Sequence, residues 1–228
     1  MKKITLFSAF LLCASMQANS AIITWDSVTN ASGNASDVLS VGTLHDSATS
    51  YNSDVLVNGQ LFNRDLGLSG GTVSYNNSGI TFSNVQSNAN YGALPGSGWD
   101  SEYLKLVDQG SWRGNGGDLK INISNLISGN NYLVQIWNPY WNTNWTTEYK
   151  DEFGNSSGLL KHGLSSAAIL PQFVVGRFTA DASTQTISAF GPTYAVVGSI
   201  QVRDVPEPST LAILALGIIG LGAARFKK

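Results

Sequence analysis

An all-β body, a sandwich or barrel of many short strands, is the fold class this sequence predicts. Three observations carry it. Apolar segments are short and recur between clusters of Gly, Ser, Asn and Thr, with 24 glycines in 228 residues. The segment Asp118-Leu119-Lys120-Ile121-Asn122-Ile123 alternates strictly, which puts Leu119, Ile121 and Ile123 on one face of a strand. No window before residue 205 carries a long helical period. Many short strands at this spacing argue a β-sandwich or barrel.

The strands follow in chain order. Ile22–Trp25, Val55–Phe62, Thr72–Tyr75, Ile80–Phe82 and Tyr103–Val107 are the early candidates. Asp118–Ile123 comes next, then a turn at Ser128-Gly129-Asn130-Asn131, then Tyr132–Trp137. These last two read as neighbouring, half-buried antiparallel strands. Gln172–Thr179, Thr184–Phe190 and Tyr194–Arg203 complete the set. The body so defined, residues 22–204, is long enough for one domain with a full core.

Both ends of the chain read as address labels outside that fold. Met1-Lys2-Lys3 is a basic start, Ile4 to Ala14 is an apolar run, and small or polar residues follow through Ala18-Asn19-Ser20-Ala21. That order is a secretory signal peptide over residues 1–21, a substrate for signal peptidase. Cleavage after Ser20 or Ala21 fits the small-residue rule best, and Ala18 is the other option. Cys13 is the only cysteine and Leu12 precedes it, which argues against lipidation. The mature chain then holds no thiol, so it has no disulfide, cysteine nucleophile or cysteine-ligated zinc.

Five of the thirteen basic residues sit at the two ends. Between Ile22 and Val205 there are eight basic against fourteen acidic residues, a net of −6. A body this acidic has no basic stripe for a phosphate backbone, so nucleic acid is excluded as a partner.

At the other end, Val205-Pro206-Glu207-Pro208-Ser209 precedes an uncharged apolar run, residues 210–224, and Arg225, Lys227 and Lys228 follow it. The prolines fix φ and lack an N–H, so this stretch stays extended and open to a processing enzyme. As a helix the run spans roughly 22 Å, short of the ~30 Å hydrocarbon core. Snorkelling basic side chains make up part of the difference, and they hold the basic end in the cytoplasm with the body outside.

Pro206-Glu207-Pro208, the apolar helix and the basic terminus together resemble the PEP-CTERM sorting domain, over residues 205–228. The resemblance implies processing by exosortase, a membrane-embedded transpeptidase-like enzyme. It also implies cutting near Pro206-Glu207-Pro208 and delivery from the inner membrane to the cell surface or extracellular matrix. The body carries a second resemblance. Asn131–Asn138 looks like the central strand of galactose-binding-like β-jelly rolls. Val175–Asp181, Thr184–Ile187 and Gly198–Arg203 look like their last three strands, and Val57–Phe62 is similar to an early one. It implies a β-sandwich jelly roll; residues 139–171 lie outside it, and no ligand residue is carried over.

The densest aromatic stretch, Trp137 to Tyr149, holds Trp137, Tyr140, Trp141, Trp145 and Tyr149 among asparagines and acids. Ring faces take the C–H side of a pyranose, and amides or carboxylates take its hydroxyls, so these five rings are candidates for binding a glycan such as exopolysaccharide. The competing reading is that they fill the core and pin a long loop. Glu148, Asp151 and Glu152 form an acidic group beside them, which as a flanking pair would suit glycoside hydrolysis and with Asn155 would suit calcium. Acids in a polar loop are more often solvated, and no regular calcium loop is present. His45 and His162 lack any partner spacing for a metal or a triad. The sequence therefore predicts a non-enzymatic protein with no metal or cofactor, and a carbohydrate-binding module or a glycan hydrolase as its rivals.

Overall fold

The computed structural model describes residues 20–90, 98–141, 143–163 and 169–206. The leader up to Asn19 lies outside the described residues. So do the apolar helix 210–224, Glu207, Pro208, Arg225, Lys227 and Lys228. Among the described residues no helix is long and apolar enough to cross a membrane.

The strands are β1 (Thr24–Trp25), β2 (Thr29–Asn30), β3 (Thr43–Thr49), β4 (Val55–Val57), β5 (Gln60–Ser69), β6 (Thr72–Tyr75), β7 (Ile80–Ser83) and β8 (Ser87–Asn90). Helix α1 (Ser101–Asp108) follows, then β9 (Gln109–Gly114), β10 (Asp118–Ile123), β11 (Asn131–Trp137), β12 (Thr146–Lys150) and β13 (Ser156–Lys161). The chain closes with β14 (Gln172–Thr179), β15 (Gln185–Phe190), β16 (Tyr194–Val197) and β17 (Ser199–Asp204).

Fourteen strands form one mixed sheet in the order β1-β14-β11-β17-β3-β5-β6-β7-β10-β15-β12-β13, with β2 on β14 and β4 on β5. β16, β9 and β8 form a second, three-stranded sheet. The large sheet nearly closes on itself. Its two ends meet through side chains: Ile23 N–H donates to Asp151 Oδ2 at 2.9 Å, and Lys161 N–H donates to Gln172 Oε1 at 2.7 Å. The mostly-β expectation is met, in one large sheet that is mixed because β3 and β5 run parallel.

Two apolar clusters fill the interior. The larger joins Phe82, Ile121, Ile187, Val134, Ile136 and Ile200; the smaller joins Phe62, Tyr103, Leu106, Leu133, Trp137 and Phe173. Strand β11 separates them. Its residues alternate between the clusters, so it is buried on both faces, as its continuous apolar run dictates. The one polar residue inside that run is satisfied: Gln135 accepts from Gln201 Nε2 at 2.7 Å and donates to Asp37 O at 2.7 Å.

Four expectations need correction. Tyr103–Val107 is not a strand but lies in α1, because Asp100 caps it, its Oδ1 accepting from the N–H groups of Glu102 and Tyr103 at 2.9 Å. Tyr103, Leu106 and Val107 then share the buried face at helical spacing. Val55–Phe62 is a hairpin rather than one strand, since Asn58 and Gly59 turn it with φ of 48° and 71°. Tyr194–Arg203 breaks at Gly198 and its halves enter different sheets. A Cβ there would sit 3.0 Å from Trp137 O. Finally, β10 and β11 are not neighbours: β10 lies between β7 and β15, and β11 between β14 and β17.

Ser20 and Ala21 take part in the fold. Ala21 belongs to the larger core cluster, and its N–H donates to Gln185 Oε1 at 2.8 Å while its carbonyl accepts from Gln185 Nε2 at 3.2 Å. Ser20 Oγ accepts from Thr186 N–H at 3.2 Å. Cleavage after Ala21 would strip the buried Gln185 amide of both its bonds to Ala21, leaving only the one from Nε2 to Thr186 O at 3.3 Å.

Candidate functional site

Three of the five candidate rings are interior. Trp137 is fully buried, wedged between Phe62 and Phe173, and its Nε1–H donates to Tyr103 Oη at 3.1 Å. Tyr149 is fully buried, its hydroxyl bonded to Val196 O at 3.0 Å and to the Asn138 side chain. Tyr140 is buried and packs on Gly163, where a Cβ would meet its ring at 2.5 Å. None of the three offers a ring face to a ligand. The sequence left this open, with core filling as one of its two readings, because Pro139 breaks the strand alternation that would have separated inside from outside.

Trp141 and Trp145 behave differently. Both are half-buried and both pack on Tyr194 of β16, a ring from distant sequence; Trp141 also meets Trp112 of β9. Trp145 lies over Tyr194 at 4.4 Å between centroids, and Trp141 meets Trp145 edge-on at 5.2 Å. Trp141 is 5.3 Å from Tyr194 and 6.2 Å from Trp112. Trp112 meets Tyr194 edge-on at 5.2 Å. The β16–β9 pairing sets Val196 opposite Trp112, which brings Tyr194 onto the same corner. A depression of about 190 Å³ opens beside these rings, lined by Asn144, Trp145, Thr146, Pro192 and Thr193. Its wall thus joins an indole to an amide and hydroxyls, the mixture that suits a sugar.

His162 underlies the corner. Its ring stacks on Trp141 at 5.8 Å with an interplanar angle of 8°. The Nε2 atom is 2.8 Å from Thr147 Oγ1, while Nδ1 is buried without a partner. Burial pushes the imidazole down to about 3, so it is neutral at neutral pH. Trp112 Nε1 is likewise buried and unpartnered.

The three acids sit in different environments. Asp151 is buried and accepts from the N–H groups of Ile23, Phe153 and Asn155 and from Asn155 Nδ2. Those bonds shape the β12–β13 turn and tie down β1. Burial raises the Glu148 carboxyl, but bonds from Lys150 and Ser156 outweigh it, so it lies below its usual value. Glu152 is exposed. Among the described residues no group of three His, Cys, Asp or Glu side chains is placed to hold a metal ion. His45 Nε2 lies 3.3 Å from Ser124 O, and its ring packs edge-on against Tyr132.

A second groove, of about 370 Å³, crosses β10, β15 and β12; its lining includes Lys120, Lys150, Ser188 and Phe190 together with Asp118 and two of the acids singled out in the sequence, Asp151 and Glu152. Lys150 Nζ lies 5.5 Å over the Phe190 ring, and Lys120 Nζ bonds Ser188 Oγ at 2.7 Å. Of the sorting residues, Pro206 alone is described, exposed just beyond β17.

Against known proteins, the chain matches the family model described as the PEP-CTERM protein-sorting motif over residues 204–228. The motif indicates an exported protein sorted to the cell surface by exosortase, and it implies a C-terminal transmembrane segment. No curated protein matches. Among solved structures the chain is similar to a family GH115 4-O-methyl-α-glucuronidase, BtGH115A, with specificity for decorated arabinogalactans. That likeness has 10% identity and a TM-score of 0.30, and covers 54% of this chain and 18% of the enzyme.

Proposed function

We propose that this chain is a non-enzymatic surface or matrix protein that exosortase frees from its membrane anchor and that contacts exopolysaccharide through its aromatic corner. Signal peptidase removes the leader, the tail holds the body briefly at the inner membrane, and cutting near Pro206-Glu207-Pro208 releases it to the surface. The observation that carries this reading is the intact sorting motif directly after the last strand. The body is read as a jelly roll of the galactose-binding-like kind. Its support is the central strand β11, flanked by β14 and β17. Trp141, Trp145, Trp112 and Tyr194 form the sugar platform.

Changing Pro206-Glu207-Pro208 to three alanines tests the sorting step. Export stays intact, because leader and helix are untouched, and the uncut protein accumulates in the inner membrane. Normal surface delivery of that variant sinks the reading. For the corner, Trp145→Ala removes retention on an exopolysaccharide affinity gel while the body stays folded. Reducing-sugar release by the wild-type body would instead make it an enzyme.

A further inference from the structure

We infer that, while the tail is intact, the end of the body from which it leaves lies on the lipid headgroup layer. This rests on the membrane-anchored reading above and adds to it the pose of the body. The fold leaves no spacer. β17 ends at Asp204, and Val205 still belongs to the domain: its N–H donates to Asn131 O at 2.8 Å and its side chain packs on the smaller core cluster. Only Pro206 to Ser209 separate it from the apolar run. Fully extended, that step covers at most ~17 Å from Val205 to Thr210. The headgroup layer alone takes up roughly 5–8 Å on each side. The apolar helix is itself short by ~8 Å, which draws the same few residues toward the hydrocarbon. The point where the tail leaves the body is therefore held within about 12 Å of the headgroup surface, and closer as the short helix draws the tether in.

The face that comes down is suited to this. It is made by residues 20–24, 38–43, 124–131 and 179–184, held together around the tail exit. Gly129 N–H bonds Ala180 O at 2.7 Å, and Leu126 N–H bonds Ser183 O at 3.0 Å. The buried Arg203 guanidinium fixes the loop before β3 through the carbonyls of Ser40, Val41 and Gly42. Across those four segments Asp181 is the one ionisable side chain. Three large aliphatics stand out of the face: Ile22 is 61%, Val41 52% and Ile127 60% exposed. A rim with few charges (Asp181 within it, Arg177 and Asp204 at the depressions beside the tail exit) and protruding aliphatics inserts into an interface mainly through its apolar side chains.

The test uses full-length precursor from a host lacking the processing enzyme, reconstituted in phosphatidylethanolamine–phosphatidylglycerol vesicles. Because Cys13 leaves with the leader, Val41→Cys, Ile127→Cys and, as the far-end reference, Leu66→Cys each carry one fluorescent label. Lipid-borne quencher should act several-fold more strongly at positions 41 and 127 than at 66, iodide should show the reverse order, and salt should change neither. Equal iodide access at all three sites overturns the inference. Shielding that appears only when the processing enzyme is added also overturns it, and assigns the face to that enzyme. A precursor that fails to float with the vesicles defeats the anchored reading as well, so the two failures are told apart.

Discussion

Strand β11 starts beside the tail and stops beside the aromatic corner, roughly 20 Å away at ~3.3 Å per residue. At its first residue, Asn131 bonds Val205 and is surrounded by tight turns of Gly, Ser and Asn. At its last, Trp137 hands the chain to a loop whose rings pack on β9 and β16. The tail end satisfies its polar groups locally, through backbone bonds and the Gln185 and Arg203 side chains. The aromatic end leaves His162 Nδ1 and Trp112 Nε1 buried without partners. Buried polar groups are nearly all paired in folded proteins, so the imidazole nitrogen and indole N–H left unmet at the aromatic end mark the less closed of the two regions.

The comparison is sharpened most by separating core rings from corner rings. Trp137→Ala should cost ~3–5 kcal/mol, because it empties the space between Phe62 and Phe173. Trp145→Ala should cost far less, and urea denaturation of both variants checks the contrast. Equal costs would return Trp145 to the core.

Acid should act on the aromatic end next. His162 is held near 3 when folded but titrates near ~6.5 in an unfolded chain. Between those values the unfolded state binds more protons, so stability rises with pH across that window. The contribution is complete above ~6.5 and lost as pH falls toward 3, about 5 kcal/mol in all. His162→Gln should flatten the urea midpoint against pH over this range. An unchanged slope in that variant removes His162 as its source.

At the tail end, Gln185→Leu should cost ~1–3 kcal/mol by orphaning the Ala21 N–H and carbonyl. The same contacts predict that the mature chain keeps Ser20 and Ala21, with cleavage after Ala18. Intact-mass measurement of exported protein reads the first residue directly, and an Ile22 start contradicts the prediction.

The smallest effect concerns the second groove. Phe190→Ala should change stability little, because Phe190 is 37% exposed. It should also leave glycan retention intact if the aromatic corner is the platform. Lost retention in Phe190→Ala but not in Trp145→Ala would move the site to β10, β15 and β12.

The sequence alone determined whatever rests on neighbours along the chain. Strict alternation placed β10 from Asp118 to Ile123, and turn residues bounded β6 and β14. The order of motif, apolar run and basic end identified the sorting tail. Strands β3, β8, β9, β12 and β13 were not legible, because their polar residues are held by pairing rather than by an apolar period. Inside and outside could not be told apart from Trp137 to Tyr149, since position in that loop is set by partners far away in sequence. Tertiary structure alone brought Trp112 and Tyr194 to Trp141 and Trp145, and turned Trp137, Tyr140 and Tyr149 inward. It also set the tail and the aromatic corner at opposite ends of β11. The reason is physical: local pattern fixes which way a strand residue points relative to its neighbours, but only strand pairing decides what lies on the other side.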